Sequence, residues 1–355
     1  MALREFKFGG YEHITALISE GIENGTRTAM VTGKWEIDRA VRLPADFTLI
    51  LEDCHLRLAD GCYANVFVNE NNETEKGRMP EGTDTNISII GRGRAILDGG
   101  EHNGLCEKVP VDERKAPLWK NNLILFTNVC GFKIDGLHLR NQRWWAMNFI
   151  YCSQGYIGNI DFCADDRMID EDGNFTHGLR CDQYAAVYVK NADGIDLRQG
   201  CHDITIENIT GFTEDDTIAL TALGGKMERN FAVESYPSDI CNVTIRNVRA
   251  SGFCSIVRLL NQGEIKLHDI EIDGVYDDSE NSDHLDHGVY GVHVGDTKLY
   301  GNRHSTKEET YNITIKNVYY AEGKAAIALA GEIGNLVMYG IECSEKTKML
   351  LDERI

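Results

Sequence analysis

The chain has 355 residues, 42% of them hydrophobic and 26% charged, a balance that supports a large buried core. Its formal net charge of −20 repels phosphate backbones and anionic membranes, so nucleic acid and membrane surfaces are not expected partners and a strongly polyanionic substrate is disfavoured. Met1–Lys7 lacks the apolar core of an export signal and no run of about 18 apolar residues occurs, so the expected location is cytoplasmic with no membrane span.

Tyr11 to Ile22 places Ile14, Leu17, Ile18 and Ile22 at helical spacing, with Gly25 as a stop. This predicts a short capping helix inside an N-terminal cap over residues 1–30, shielding the first open strand edge. Beyond it one phrase recurs: apolar, any, apolar, any, Asn or Gly, apolar. It stands in part at Ile87-Ser88-Ile89 and complete at Phe132–Leu137, then shortened at Ile157–Ile160. Complete copies follow at Ile204–Ile209, Val243–Val248, Ile270–Val275, Ile313–Val318 and Leu336–Ile341. The period-two part is a strand with one buried face, and Asn or Gly tolerates the left-handed backbone of a bend. Ile134 to Ile157 and Ile315 to Met338 both span 23 residues, a solenoid period. The longer intervals hold either two coils or a loop insertion. The expected fold is all-β: a single-stranded right-handed parallel β-helix with a short N-terminal capping helix, one domain over residues 1–355. A β-sandwich is the competing architecture. Residues 165–183 and 281–305 break the repeat and read as loop insertions on the binding face.

Equivalent positions of stacked coils lie about 4.8 Å apart. Asp193 and Asp215 are 22 residues apart, about one coil, so Asp193, Asp215 and Asp216 are expected to form one acidic cluster. Neighbouring carboxyls raise one another's pKa, which is what an acid/base pair exploits. Inversion of a glycosidic bond needs two functional carboxyls roughly 6.5–9.5 Å apart. Acidic turns are also common in such folds without any function. Strand alternation turns Asp215 and Asp216 to opposite sides unless the backbone bends there.

The stretch Asn191-Ala192-Asp193-Gly194, followed a coil later by Asp215-Asp216, resembles the signature of glycoside hydrolase family 28, the polygalacturonase-like family of the pectin lyase-like β-helix superfamily. Ala192 stands where that family has Thr. Similar stretches are Trp35–Leu51, the Gly-rich Ile90–Gly100, and Asn141–Trp145, so the likeness covers about residues 30 to 275. The resemblance implies Asp215 as general acid, Asp193 and Asp216 as the pair activating water, and hydrolysis with inversion and no metal or cofactor. It also implies Asn191 and Arg258 as substrate contacts. Two elements depart from the family. Its Gly-His-Gly is absent from Thr221–Asp239, and its Arg-Ile-Lys is reduced to Arg258-Leu259-Leu260. Those basic residues grip galacturonate, so polygalacturonate itself is not the expected substrate. A neutral, deoxy or mixed unit of a short plant cell-wall oligosaccharide is.

The remaining candidates are weaker. Trp144 and Trp145 suit stacking on a sugar ring or filling a core. His284, His287, His293 and His304 crowd one region; a polar loop beside the sugar site is preferred to a metal site, and Arg303 and His304 suit sugar hydroxyls. Asp170–Asn174 lacks the full calcium-loop pattern. His177, Arg180 and Asp182 are outer candidates for the cleft. The eleven cysteines, scattered without a CxxC pair, are expected reduced, and no metal site is expected. The leading function is an exo-acting glycoside hydrolase with an oligosaccharide as partner. The alternatives are a polysaccharide lyase on the same fold and a non-catalytic sugar-binding β-helix. A homo-oligomer stays open.

Overall fold

The computed structural model describes residues 6–100, 103, 113, 116–142, 144–164, 167–169, 175–177, 193–281, 288–296, 300 and 303–354. Its architecture is the expected parallel β-helix. Two long parallel sheets run the length of the chain, one of 12 strands and one of 10. A two-stranded antiparallel hairpin, Arg167–Ile169 with Phe175–His177, lies in the first insertion.

Every copy of the recurring phrase falls in the larger sheet, and the copies stack in register. Ile89, Ile134, Ile157, Ile206, Ile245, Ile272, Ile315 and Met338 form one continuous row. All but Met338 are fully buried. Ile157 pairs directly with Ile206 and Ile272 with Ile315, so the longer intervals are single coils carrying insertions, not double coils. The Asn or Gly of the phrase is the bend: Gly136, Asn159, Asn208, Asn247, Gly274, Asn317 and Gly340 all have positive φ. On the outside, Asn247 donates to Asn208 (2.7 Å), Asn208 to Asn159 (3.2 Å) and Asn159 to Asp135 (2.7 Å). Each bend amide thereby satisfies the next and fixes the register of neighbouring coils.

Helix α1 (Gly10–Glu23) covers the N-terminal end and buries Ile14 and Ile18. Gly21 packs against the Thr28 carbonyl, where a Cβ would sit 2.6 Å away, so the helix seats closely on the first coil. No described helix is long and apolar enough to cross a membrane.

The smaller sheet carries the site. Its central strands are Asn122–Thr127, Trp145–Ile150, Asp193–Leu197, Ile218–Ala222, Ser255–Asn261 and Tyr290–Val294, in that spatial order. Helix α2 (Lys226–Phe231) leaves the Ile218–Ala222 strand and folds back over the outer face of this sheet. There Met227 and Phe231 pack with Val68, Leu125, Ile150 and Tyr151 in a second apolar cluster, separate from the coil interior.

Candidate active site

The three aspartates meet. One carboxylate oxygen from each of Asp193, Asp215 and Asp216 lies within 4.8 Å of the others. The register explains how. Ile195 pairs with Ile218, an offset of 23, so Asp216 rather than Asp215 is the stacked counterpart of Asp193. Gly194 N–H donates to the Asp216 carbonyl, and Asp216 N–H donates to Asp193 Oδ1 at 3.0 Å. A Cβ at Gly194 would lie 2.5 Å from the Thr217 carbonyl, so only Gly lets the coils approach this closely after Asp193. Bends at Glu214, Asp215 and Thr217 break strand alternation, which is why consecutive aspartates share one side. Thr213 Oγ1 closes this turn by donating to the Asp215 carbonyl.

Asp193 forms the floor at 9% exposure, while Asp215 and Asp216 are half-buried. Burial, with the charges of Asp196, Asp215 and Asp216, pushes the Asp193 carboxyl well above the usual carboxylate range. Burial and the Asp215 charge push Asp216 up to about 8, against the pull of Arg258 and a hydrogen bond with Ser255. The nearest oxygens lie closer together than the roughly 6.5–9.5 Å between carboxyls typical of inversion.

Around the aspartates stand residues that the sequence reading did not single out. Asp196 is fully buried and raised to about 6, by burial first, with Arg198 pulling the other way. Arg198 bridges Asp196 (3.2 Å) and Glu228 (2.8 Å), and its guanidinium lies over the Trp145 ring, 4.2 Å from the centroid. Glu228 also caps α2 by accepting from Gly225 N–H at 3.0 Å. Tyr300 and Cys254 face the same charges: burial and the Asp215 and Asp216 carboxylates raise both hydroxyl and thiol. Asp196 was visible three residues after Asp193. Glu228 lies within Thr221–Asp239, where no repeat or motif marks it.

The other expected residues are placed as follows. Trp145 is in register with Asp193 one coil earlier and is half-buried. Trp144 is 7% exposed, leaving little ring face for a sugar, and it meets Trp145 edge-on. Arg258 is buried behind Asp216 and donates to the His293 and Gly295 carbonyls. His293 is the register partner of Arg258; burial and the Arg258 charge lower it to about 3, so it stays neutral. His304 is half-buried, its Nδ1 2.8 Å from the Asp296 carbonyl. Arg303 forms an exposed fork with Glu309 and is spent there. Asn191, Asp170–Asn174, Arg180, Asp182, His284 and His287 lie outside the described residues, as do most of 165–183 and part of 281–305; of His177 only the backbone is described. Nine described cysteines are free thiols.

The chain is a parallel β-helix that brings three carboxyls together on the outer face of its smaller sheet. Residues 63–234 match the family model described as Glycosyl hydrolases family 28, a segment that includes Asp193, Asp215 and Asp216. Over that segment, just under half of the chain, it is similar to the family 28 glycoside hydrolases. No curated protein sequence matches it. Among solved structures, a tailspike protein mutant of E. coli bacteriophage HK620 in complex with a pentasaccharide superposes with a TM-score of 0.57 at 14% identity. That match covers 97% of this chain and 61% of the tailspike chain, so this chain spans about three fifths of that relative's length. A hyperthermoactive exopolygalacturonase from Thermotoga maritima matches with a TM-score of 0.53 at 11% identity, over 96% of this chain and 87% of that one. A galactohydrolase named for sulfated galactose and anhydrogalactose units matches with 0.57 at 11% identity, over 92% and 81%. At these identities the likeness establishes the fold alone.

Proposed function

We propose that this protein hydrolyses a glycosidic bond near one end of a short plant cell-wall oligosaccharide, of pectin type but not polygalacturonate, with inversion. The observation that carries the reading is the convergence of Asp193, Asp215 and Asp216 from two adjoining coils. Asp215 protonates the leaving oxygen. Asp193 and Asp216, tied together through the Asp216 N–H, hold the attacking water. Inversion rests on the family resemblance.

Two features support the substrate class. Both described cations at the site are already matched: Arg198 lies between Asp196 and Glu228, and the Arg258 charge is met by Asp216 and Asp296. Position 260, where the family has its Lys, is the buried Leu260. A sugar carboxylate therefore enters a site with excess negative charge, which favours a neutral unit. Exo action is supported by α2, whose Met227 and Phe231 pack on Leu125 and Ile150 and block the sheet face on the N-terminal side of Asp193. A cytoplasmic location belongs to the same reading and is checked by cell fractionation.

The test is a screen of neutral aryl-glycosides, neutral pectin-side-chain oligosaccharides and oligogalacturonate, with proton NMR of the first product. The expected result is release of an inverted anomer from a neutral substrate and no turnover of oligogalacturonate. A product absorbing in the near ultraviolet would make the protein a lyase. Glycan binding without any product would make it a non-catalytic β-helix.

A further inference from the structure

The water-activating role given to Asp193 meets a physical difficulty. A carboxyl buried among other carboxyls holds its proton, and a protonated carboxyl takes no proton from water. The surroundings of Asp196 resolve this. Asp196 is fully buried, and its two oxygens have different partners. Oδ1 accepts from Arg198 (3.2 Å) and Thr221 (3.5 Å). Oδ2 has no N–H or O–H donor among the described residues, although it is closed off from solvent. The Asp193 and Asp196 side chains are within hydrogen-bonding reach of each other. Two carboxylates facing across a dry contact repel. A single proton between them removes the repulsion and satisfies the orphaned oxygen.

We propose that Asp196 is a positioning residue that shares one proton with Asp193, so that the pair rather than Asp193 alone serves as the base. This rests on the hydrolase reading above. In the resting pair Asp193 carries the proton and donates it to the Asp196 carboxylate, which Arg198 stabilises. As water attacks the anomeric carbon, the shared proton passes to Asp196, and the freed Asp193 oxygen takes a proton from the water. The new C–O bond forms, the glycosidic C–O bond breaks, and the leaving oxygen receives the Asp215 proton. The pair ends doubly protonated and Asp215 ionised, so charge and protons balance, and solvent exchange restores the start.

The clamp on Asp196 is built for this. Arg198 cannot swing away, because Glu228 grips it at 2.8 Å and the Trp145 ring covers it. Glu228 is itself fixed by capping α2. The groups facing the pair are Arg198 on its own coil, Glu228 on α2, Asp215 and Asp216 in the turn before Ile218, Cys254 before the next strand, and Tyr300. Among the described residues, Arg198 is the cation that favours a carboxylate on the Asp196 side, with Thr221 Oγ1 as a second donor.

The test uses the full chain and needs no substrate. Isotope-edited infrared spectra of protein labelled with carboxyl-13C aspartate report protonated aspartates directly at pH 7. The wild type should show protonated-Asp absorption that includes a component assigned to Asp193 by its loss in Asp193→Asn, beside components from Asp215 and Asp216 that remain. Asp196→Asn should remove the Asp193 component as well, because the new amide donates to Asp193 and leaves it ionised; Arg198 keeps Glu228, so the fold is retained. Asp196→Glu should restore that component. With any substrate found in the screen, Asp196→Asn should move the acid limb of kcat/KM down by about one pH unit or more. An Asp193 component that persists in Asp196→Asn overturns the proposal. So does a wild type with no band assignable to Asp193, a result that stands even if Asp196→Asn fails to fold. Absence of turnover with the band behaving as stated would count against the hydrolase reading alone.

Discussion

The two sheets treat their acids in opposite ways. On the larger sheet, acids at the bends are solvent-facing and held by donors. Asn86 and Thr85 lower Asp46, His268 and Asn312 lower Asp269, and Asn317 with Lys316 lowers Asp273. On the smaller sheet, Asp193, Asp196 and Asp216 are driven upward, burial being the leading cause each time. The first arrangement stabilises coil stacking. The second keeps protons where ordinary aspartates have none, and such perturbation marks a site of chemistry. What separates the two faces is cover: α2 and its Glu228–Arg198 bridge dry out the smaller sheet, whereas the larger sheet's bends face water.

Substitutions on each face sharpen this contrast, and the largest effect belongs to the covered one. Asp216→Asn should lower kcat by about 10²–10⁴-fold with little loss of folding stability at pH 6. A drop under tenfold would move the chemistry away from this cluster. Next, Ile206→Ala in the interior row should destabilise the fold by about 2–5 kcal/mol, read by chemical denaturation, because a fully enclosed side chain is cut back between two coils. A cost well under 1 kcal/mol would mean that the row does not carry the stacking.

The pH response divides the faces more finely. Asp196 and Asp216 are raised to about 6 and about 8 from an unfolded value near 3.9. Stability tied to groups raised in the folded state is fully present below the unfolded value and is lost as pH rises through the folded ones. Melting temperature should therefore fall by a few degrees between pH 5.5 and 9, and less in Asp216→Asn. The turn just before the larger sheet's Thr310–Tyr320 strand works the other way. Glu309, held at about 2 chiefly by Arg303, contributes stability above pH 4 that disappears as pH drops through 2. A melting temperature that rises from pH 5.5 to 9 would contradict the raised cluster. The smallest effect is expected of Asn317→Ala, which removes an exposed bend amide from Asp273 and should cost under about 1 kcal/mol.

The two faces also differed in how far they could be read from sequence. The larger sheet was plain in advance, because its strands repeat one phrase and the bend residues are the only ones that tolerate positive φ cheaply. Even the capping helix, expected over Tyr11 to Ile22, is realised as Gly10–Glu23. Asp193, Asp215 and Asp216 were found by coil arithmetic, one residue off in register, since a bend before Ile218 shifts the count. Asp196, Arg198 and Glu228 were not singled out, for a physical reason. A buried ion network joins a strand to a helix 30 residues later, and no local period announces that contact. Trp144 and Trp145 show the same limit: pattern gives aromatic residues at a bend, but only packing decides that Trp144 turns inward and that Arg198 covers Trp145.

The most direct test of the central claim is turnover by Asp215→Asn, measured by mass spectrometry on a substrate that the wild type cleaves. The three-aspartate site predicts loss of product by at least about 10²-fold, with unchanged melting temperature and retained substrate binding. Product formed at the wild-type rate would contradict it.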